Sequence, residues 1–160
     1  MATFTLRPVA ADDLPLLLQL YGSTRAAELA LVPWNDAQRA AFIKLQYDGQ
    51  TAFYQSEYPD AVHSIVLCDG EAVGRLYVHR RPHEIRILDV TLLVEKLPGE
   101  RAEAAGHELI VALKNEAEAA RLPLNLHLDP FNLMQPWFER WGFVKVTDNG
   151  THALYEWRAD

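Results

Sequence analysis

Alternation of apolar and polar positions predicts an antiparallel β-meander in the first half of the chain. Residues 62–67 and 72–78 both alternate, and Asp69 and Gly70 lie between them. An Asp-Gly pair in that position is a strong signal for a two-residue hairpin turn. Residues 3–9 show the same alternation and are expected to form the first strand.

A longer apolar run at residues 85–94 dominates the second half. It is apolar at both parities, as expected of a central strand that is covered on both faces of the sheet. A helical pattern follows at residues 107–120, and a short alternating strand comes next at residues 122–128. Strand, helix and strand in this order predict a parallel pair of strands with the helix packed on the sheet. Residues 143–146 and 153–157 are expected to close the chain as a hairpin.

Two helices are predicted before the meander. Residues 11–22 carry a stripe of leucines, and Asn35 or Asp36 is a suitable N-cap for a second helix. Residues 46–55 are rich in amide and aromatic side chains, and we interpret them as a connecting segment. No repeat or change in composition divides the chain, so one domain over residues 1–160 is expected.

Asp89 interrupts the apolar central strand. Strand parity places its carboxylate on the same face as Ile87 and Thr91, where it is expected to be largely desolvated unless a neighbour or a water meets it. Desolvation favours the neutral form of a carboxyl group, which allows such a group to act as a general base. The alternative is a structural aspartate that accepts hydrogen bonds from backbone groups or an arginine, and the residues alone do not decide between the two.

Two stretches of the second half carry a family signature. Residues 101–106 have the sequence Arg-Ala-Glu-Ala-Ala-Gly at the start of a helix, and Asn132 lies ten residues before the pair Gly142 and Phe143. Together with the order of elements, they resemble the GNAT (GCN5-related) N-acetyltransferases, whose signature loop is Arg/Gln-x-x-Gly-x-Gly/Ala after a central strand. The resemblance implies an α/β fold, in the α+β sense, in which a mixed central sheet of about seven strands is flanked by about four helices.

The resemblance implies acetyl-CoA as the co-substrate and gives roles to particular residues. The loop at residues 101–106 would hold the coenzyme A pyrophosphate through backbone N–H groups and the positive end of the helix dipole. The central strand and the next one would splay apart, so that the pantetheine arm pairs with exposed backbone and Asn132 contacts that arm. The candidate cofactor-binding residues are Leu92, Leu93, Val94, Arg101, Ala102, Ala104, Ala105, Gly106 and Asn132.

The resemblance also places the acceptor side of the active site beside residues 46–55. Gln46, Tyr47 and Tyr54 are the candidates for binding the acceptor, against the alternative of aromatic packing in a surface loop. Asp89, or a water that it orients, would take the amine proton, and central-strand N–H groups would stabilise the oxyanion.

Departures from the family pattern stand beside these matches. Ala104 occupies the position of the middle glycine, and the spacing between Asp89 and Arg101 is longer than is usual in the family. Strong helix formers follow Gly99, so the helix could begin near Pro98 and absorb the loop.

A further departure concerns the leaving group. Phe138 occupies the position of a tyrosine that protonates the leaving thiolate in the family, and a phenyl ring cannot donate a proton. Another tyrosine or solvent would have to supply it. The tyrosines named for this role are Tyr47, Tyr54, Tyr77 and Tyr155.

Charge and composition narrow the partners. The formal net charge of −7 argues against nucleic acid or an anionic membrane, since both bind basic surfaces. It is compatible with a cationic amine, either a small molecule or a peptide, and it leaves a homodimer open.

Cys68, the single cysteine, lies in an apolar run and is expected to be a buried hydrophobe. His79 and His83 have helical spacing without a helix, so no metal is expected. The absence of a signal peptide or long apolar span favours a cytoplasmic protein.

The leading functional prediction is transfer of an acetyl group from acetyl-CoA to a primary amine. The alternative is a degenerate GNAT-fold protein that no longer acylates anything and serves as an interaction or regulatory module, as Ala104 and Phe138 suggest. A third interpretation is an unrelated mixed α/β binding domain, because a fold does not fix a function.

Overall fold

One mixed β-sheet organises the protein. The computed structural model describes residues 3–97, 100–130 and 132–159. The strands are β1 (Phe4–Pro8), β2 (Val62–Cys68), β3 (Glu71–Arg80), β4 (Ile85–Leu92), β5 (Leu124–Leu128), β6 (Val144–Asp148) and β7 (Ala153–Trp157). The helices are α1 (Leu14–Leu29), α2 (Asp36–Glu57), α3 (Glu100–Ala120) and α4 (Gln135–Arg140). Within the described residues, the seven strands lie in the order β1-β2-β3-β4-β5-β7-β6, which confirms the predicted fold class.

Turn chemistry sets the antiparallel half of the sheet. Asp69 and Gly70 both have positive φ, 51° and 86°, the combination that a type I′ hairpin turn requires. Strands β1 to β4 pair antiparallel in chain order. β4 then pairs with β5 in parallel, and α3 makes the crossover, so the predicted strand-helix-strand unit is confirmed.

Different helices cover the two faces of the sheet. α3 and α4 pack on the larger core, whereas α1 and the inner face of α2 pack on a smaller one on the other side. β3 and β4 approach so closely that a β-carbon at Gly74 would lie 2.5 Å from the carbonyl oxygen of Thr91. Among the described residues, no helix combines the length and the apolarity needed to cross a membrane.

The predicted connecting segment at residues 46–55 is wrong, because α2 continues through it to Glu57. Asn35 caps this helix as predicted: its side chain accepts a hydrogen bond from the Gln38 N–H at 2.8 Å, and the Gln38 side chain accepts one from the Asn35 N–H at 2.9 Å. Most residues of the segment tolerate a helix, and its one glycine costs only about 1 kcal/mol. The amide and aromatic groups therefore lie on a helix that faces the sheet.

The predicted glycine loop is also wrong, and the alternative of a helix that absorbs this loop is confirmed for residues 100–106. Residues 101–106 are helical, because α3 begins at Glu100. Strong helix formers fill this stretch and outweigh its one glycine. Ala102 and Ala105 are buried and extend the apolar stripe that holds α3 on the sheet. In such a helix, the N–H groups of the last three residues of the stretch donate to carbonyl groups four residues earlier. Pro98, the alternative first residue of the helix, lies outside the described residues.

Gly106 has a packing role in this helix. A β-carbon at Gly106 would lie 2.9 Å from Cη2 of Trp141 and 3.5 Å from Cε of Met134. The position is helical, so it requires the absence of a side chain rather than a positive φ. The glycine that matches the family motif thus allows α3 to approach Trp141 closely.

Candidate active site

β4 and β5 diverge part way along their length. Their parallel pairing ends at Ile87 opposite Leu126. Leu93, which follows β4, donates its N–H to a carbonyl group on the β3 side at 2.8 Å. Backbone N–H and C=O groups alternate in direction along a strand, so those of Val90 and Leu92 point away from β3. They face the space beside β4 where β5 no longer pairs with it. On that side these groups have no strand partner among the described residues.

A cleft of about 460 Å³ opens at this divergence. Its walls come from the C-terminal half of α1, from β4 and the 3-10 turn after it, and from the segment that leads into α4. Of the predicted cofactor-binding residues, Leu92, Val94 and Asn132 line it. The lining is mainly apolar, and its charged members among the described residues, including Glu28 and Glu95, are acidic.

Leu93 does not belong to this cleft. Its side chain is fully buried in the core beneath α1, and its N–H already donates to the Val73 carbonyl. Leu93 therefore cannot offer the free N–H group that the sequence predicted, because its place in the strand alternation turns it toward β3.

β4 contains a β-bulge at Leu88. The register with β3 shifts by one residue there, and Asp89 lies opposite Tyr77. The Leu88 carbonyl accepts a hydrogen bond from the Tyr54 hydroxyl at 2.9 Å. A bulge kinks a strand and re-aims the side chains beside it. This bulge lies immediately before the predicted catalytic carboxylate.

Asp89 belongs to a hydrogen-bonded polar network. Arg75 donates from Nε to Asp89 Oδ2 and from Nη2 to Gln50 Oε1, the latter at 2.7 Å. The Thr91 hydroxyl also donates to the carboxylate, 3.1 Å from Oδ1 and 3.3 Å from Oδ2. The Arg75 side chain is 2% exposed and that of Asp89 is 22% exposed. A neighbour thus meets the carboxylate, as the alternative of an arginine-bonded aspartate predicts, and Asp89 is not an unpaired desolvated base.

Aromatic rings enclose this network. The guanidinium of Arg75 lies 5.8 Å from the ring centroid of Tyr47, which is buried. Tyr77 contacts Tyr54 edge-on, with centroids 5.1 Å apart, and His63 stacks on Tyr77 at 4.2 Å. Burial raises the pKa of Tyr54 and of Tyr77 and lowers the pKa of His63 to about 4. All three groups are therefore uncharged at neutral pH.

Two of the three predicted acceptor residues enter this cluster. Tyr47 and Tyr54 share the inner face of α2 with Gln50, which the sequence analysis missed. Gln46 is exposed and lies outside the network, because one helical step turns it away from Tyr47. Arg75 was missed as well, although a charged residue inside the apolar strand β3 is a readable signal.

The residues predicted to bind the pyrophosphate are divided by the helical conformation. Arg101 donates from Nη2 to Sγ of Cys68 at 3.6 Å, and this cysteine is buried as predicted. Ala104 is exposed. The members that are buried are Ala102, Ala105 and Gly106.

Phe138 lies in the core. It is fully buried and packs against Trp141 and Phe143, with ring centroids 5.1 and 5.2 Å away. Tyr155 is also buried, and its hydroxyl accepts a hydrogen bond from the Gln135 amide at 3.0 Å. Of the tyrosines considered as proton donors, Tyr54 has its hydroxyl at the bulge of β4.

Solved N-acetyltransferases share this architecture over almost their whole length. The PaiA N-acetyltransferase of Thermoplasma acidophilum, solved in complex with coenzyme A, has a TM-score of 0.66 at 16% identity, with 98% of this chain and 99% of that chain covered. An acetyltransferase of Thermus thermophilus has a TM-score of 0.64 at 19% identity, covering 98% and 97%. A GCN5-related N-acetyltransferase of Rhodopseudomonas palustris has a TM-score of 0.64 at 19% identity, with 98% of this chain and 96% of that chain covered.

No protein-family model and no curated protein sequence matches the chain. The likeness to the solved structures, at these low identities, concerns the arrangement of strands and helices. The protein therefore has the fold of the GCN5-related N-acetyltransferases.

Proposed function

We propose that this protein transfers an acetyl group from acetyl-CoA to a primary amine. The observation that carries the proposal is the cleft where β4 and β5 diverge, because Thr91 both lines this cleft and donates to Asp89. A donor in the cleft and an amine beside Asp89 would meet near the bulge of β4. The solved neighbour that holds coenzyme A supports the choice of donor.

The cleft suits the pantetheine arm of acetyl-CoA. This arm is a narrow chain with two amide groups, and the backbone of Val90 and Leu92 offers hydrogen-bonding groups without a strand partner on that side. Ala27 of α1 and Trp137 supply apolar walls for the methylene groups. A volume of about 460 Å³ falls within the usual range for ligand pockets.

In the proposed reaction, the amine nitrogen attacks the thioester carbonyl carbon, the N–C bond forms and the C–S bond breaks. The amine proton passes to Asp89 or to a water that Asp89 holds. Backbone N–H groups at the bulge would stabilise the oxyanion. The thiolate takes a proton from solvent, because burial raises the pKa of Tyr54 and its hydroxyl already donates to the Leu88 carbonyl. With an ordinary pKa of about 8.5, a thiol is a tolerable leaving group without a matched acid.

The diphosphate of the donor would lie at the first turn of α3. The helix dipole and the N–H groups of the first turn of a helix would favour an anion there. Arg101 belongs to this turn, and Arg140 is close to it, although Arg140 already forms an ion pair with Glu103 at 2.7 Å. Without a glycine loop, fewer N–H groups can converge on the phosphates, so this half of the donor should be held weakly.

The helical conformation of the first turn of α3 also favours a second candidate function. A GNAT-fold protein that has lost acyl transfer would serve as an interaction or regulatory module. The helical conformation of residues 101–106 and the burial of Phe138 are the observations in its favour. Binding of acetyl-CoA separates the two proposals.

Calorimetric titration with acetyl-CoA tests the leading proposal on the wild-type protein, Ala27→Trp and Ala41→Trp. Ala27 is exposed and lines the cleft, whereas Ala41 is an exposed alanine of α2 that does not line it. We expect a Kd of roughly micromolar order for the wild type, a loss of at least about tenfold in Ala27→Trp, and no change in the control.

If binding is found, a panel of primary amines assayed for thiol release identifies the acceptor class. No heat with the wild type, backed by no thermal shift at about millimolar acetyl-CoA, would contradict the enzyme proposal and favour the interaction module. Equal loss in both alanine variants would contradict the cleft as the binding site.

A further inference from the structure

We propose that Arg75, held by Gln50, is a positioning residue that orients the Asp89 carboxylate for the acceptor amine. The role in the reaction rests on the proposed function, whereas the ion pair of Arg75 with Asp89 does not. Nothing in the family resemblance pointed to Arg75 or Gln50.

The stability of the fold does not account for this ion pair. Desolvation of a buried charge and a partly buried one offsets much of their attraction, and apolar residues of similar volume often replace such a pair without loss of stability. Arg75 lies in the middle of β3 between Gly74 and Leu76, and its side chain is 2% exposed. A methionine could fill this position, so the guanidinium calls for a reason other than packing.

The two members of the ion pair differ in exposure, as expected of a binding site. The Arg75 side chain is buried, whereas that of Asp89 is 22% exposed and can be reached by a ligand. Two guanidinium nitrogens are committed, Nε to Asp89 Oδ2 and Nη2 to Gln50, so the arginine cannot turn away. Thr91 holds the carboxylate as well, 3.1 Å from Oδ1. A carboxylate accepts about four hydrogen bonds, which leaves capacity for an ammonium group or a bound water.

Among the described residues, Arg75 is the cation that pairs with Asp89. The other titratable groups near the carboxylate are His63 on β2, Tyr77 on β3 and Tyr54 on α2. Burial keeps each of these three uncharged at neutral pH, since it lowers the pKa of the histidine and raises the pKa of the two tyrosines. Removal of Arg75 would therefore leave the carboxylate partly buried without a compensating charge.

The first test compares Arg75→Met, Asp89→Leu and the double variant by thermal unfolding and by kcat/KM with the best amine found. Each single variant leaves one charge unpaired, so its thermal midpoint should fall. The double variant removes both charges, so its midpoint should return to that of the wild type or above it. Its kcat/KM should nevertheless be lower by at least about 100-fold.

The conservative variant Arg75→Lys separates positioning from packing. A lysine restores the charge without the fork of donors, so kcat should fall by about tenfold while the KM for acetyl-CoA stays unchanged. In an Asp89→Asn background the same change should have no further effect on kcat, because Arg75 acts through Asp89. A stable double variant with activity close to the wild type, or independent losses from the two positions, would overturn the proposal.

A second readout needs no activity. An unpaired, partly buried carboxylate is best tolerated when protonated, so the thermal midpoint of Arg75→Met, relative to the wild type, should fall further between about pH 4.5 and pH 7. This extra loss should disappear in the double variant, which has no carboxylate at the site. The same loss at both pH values would overturn the pairing of Arg75 with the Asp89 carboxylate. A wild type that binds no acetyl-CoA and acylates no amine would instead refute the proposed function.

Discussion

The cleft between β4 and β5 and the first turn of α3 are two parts of one expected donor site, but different features of the chain form them. The cleft arises from backbone register, because the parallel pairing stops at Ile87 and leaves alternate backbone groups of β4 without a strand partner among the described residues. The turn depends on side chains, since a run of helix formers after Glu100 makes a helix where the family has a loop. One half of the expected donor site is therefore set by strand pairing, and the other half by helix propensity.

The largest expected effect comes from a substitution at Gly74, beside the wall of the cleft. A β-carbon at Gly74 would lie 2.5 Å from the Thr91 carbonyl oxygen and 2.7 Å from Cδ2 of Leu92, and both residues line the cleft. Gly74→Ala should lower the free energy of unfolding by about 3 kcal/mol, because backbone must move to make room. Urea unfolding measures this change. Gly49→Ala is the matched control: nothing lies within 4 Å of its β-carbon position in α2, so it should gain up to about 1 kcal/mol.

Gly106 separates a packing glycine from a ligand-binding one. Gly106→Ala should lower the free energy of unfolding by about 1–2 kcal/mol, because overlap with Trp141 outweighs the gain in helix propensity. Calorimetry should give a Kd for acetyl-CoA within about threefold of the wild type. A loss of binding without a loss of stability would show that the glycine serves the ligand.

Restoring the family motif should not restore a loop. Ala104→Gly places the missing glycine at an exposed helical position and should lower the free energy of unfolding by about 1 kcal/mol. The Kd for acetyl-CoA, measured by calorimetry, should stay within about threefold. An affinity gain of about tenfold or more would indicate that the first turn of α3 unwinds to bind phosphate.

The smallest effect concerns the cluster beside the cleft. The pKa of His63 is about 4 in the folded protein and about 6.5 in the unfolded chain. The unfolded chain therefore takes up a proton first as the pH falls, and stability that is complete above about pH 6.5 is lost toward pH 4. His63→Phe keeps a ring against Tyr77 and should reduce this loss by about 1 kcal/mol, since the histidine is partly exposed. Urea unfolding near pH 7 and near pH 5 measures this loss of unfolding free energy. If the loss is the same in His63→Phe as in the wild type, burial of the histidine is not its cause.

Local chemistry made much of the fold predictable. The turn at Asp69 and Gly70 requires positive φ at both residues, and this pair of residue types adopts it readily. The order of strand, helix and strand from β4 to β5 left a parallel crossover as the expected connection. The continuation of α2 was missed, and the start of α3 was left open between a loop and a helix. Amide-rich and Ala/Glu-rich stretches suit both conformations, and contacts with the sheet decide between them.

The site was predictable only in part. Alternation identified Asp89 as a polar residue in an apolar strand, and the family resemblance placed Asn132 and Leu92, which both line the cleft. The partnership of Asp89 with Arg75 was not readable, because the bulge at Leu88 shifts the register between β3 and β4 by one residue. The sequence pattern does not predict a bulge of this kind. Unless the position of the bulge is known, the cross-strand neighbours of a residue in β4 cannot be assigned.

Comparison of acetyl-CoA with S-acetylpantetheine tests the central claim most directly. The two compounds share the thioester arm, and only acetyl-CoA carries the phosphates and the nucleoside. If the cleft holds the arm and the first turn of α3 adds little, their Kd values should differ by no more than about tenfold, and Ala27→Trp should weaken both equally. An advantage of about 100-fold or more for acetyl-CoA, unaffected by Ala27→Trp, would contradict the account and place binding at the phosphate end.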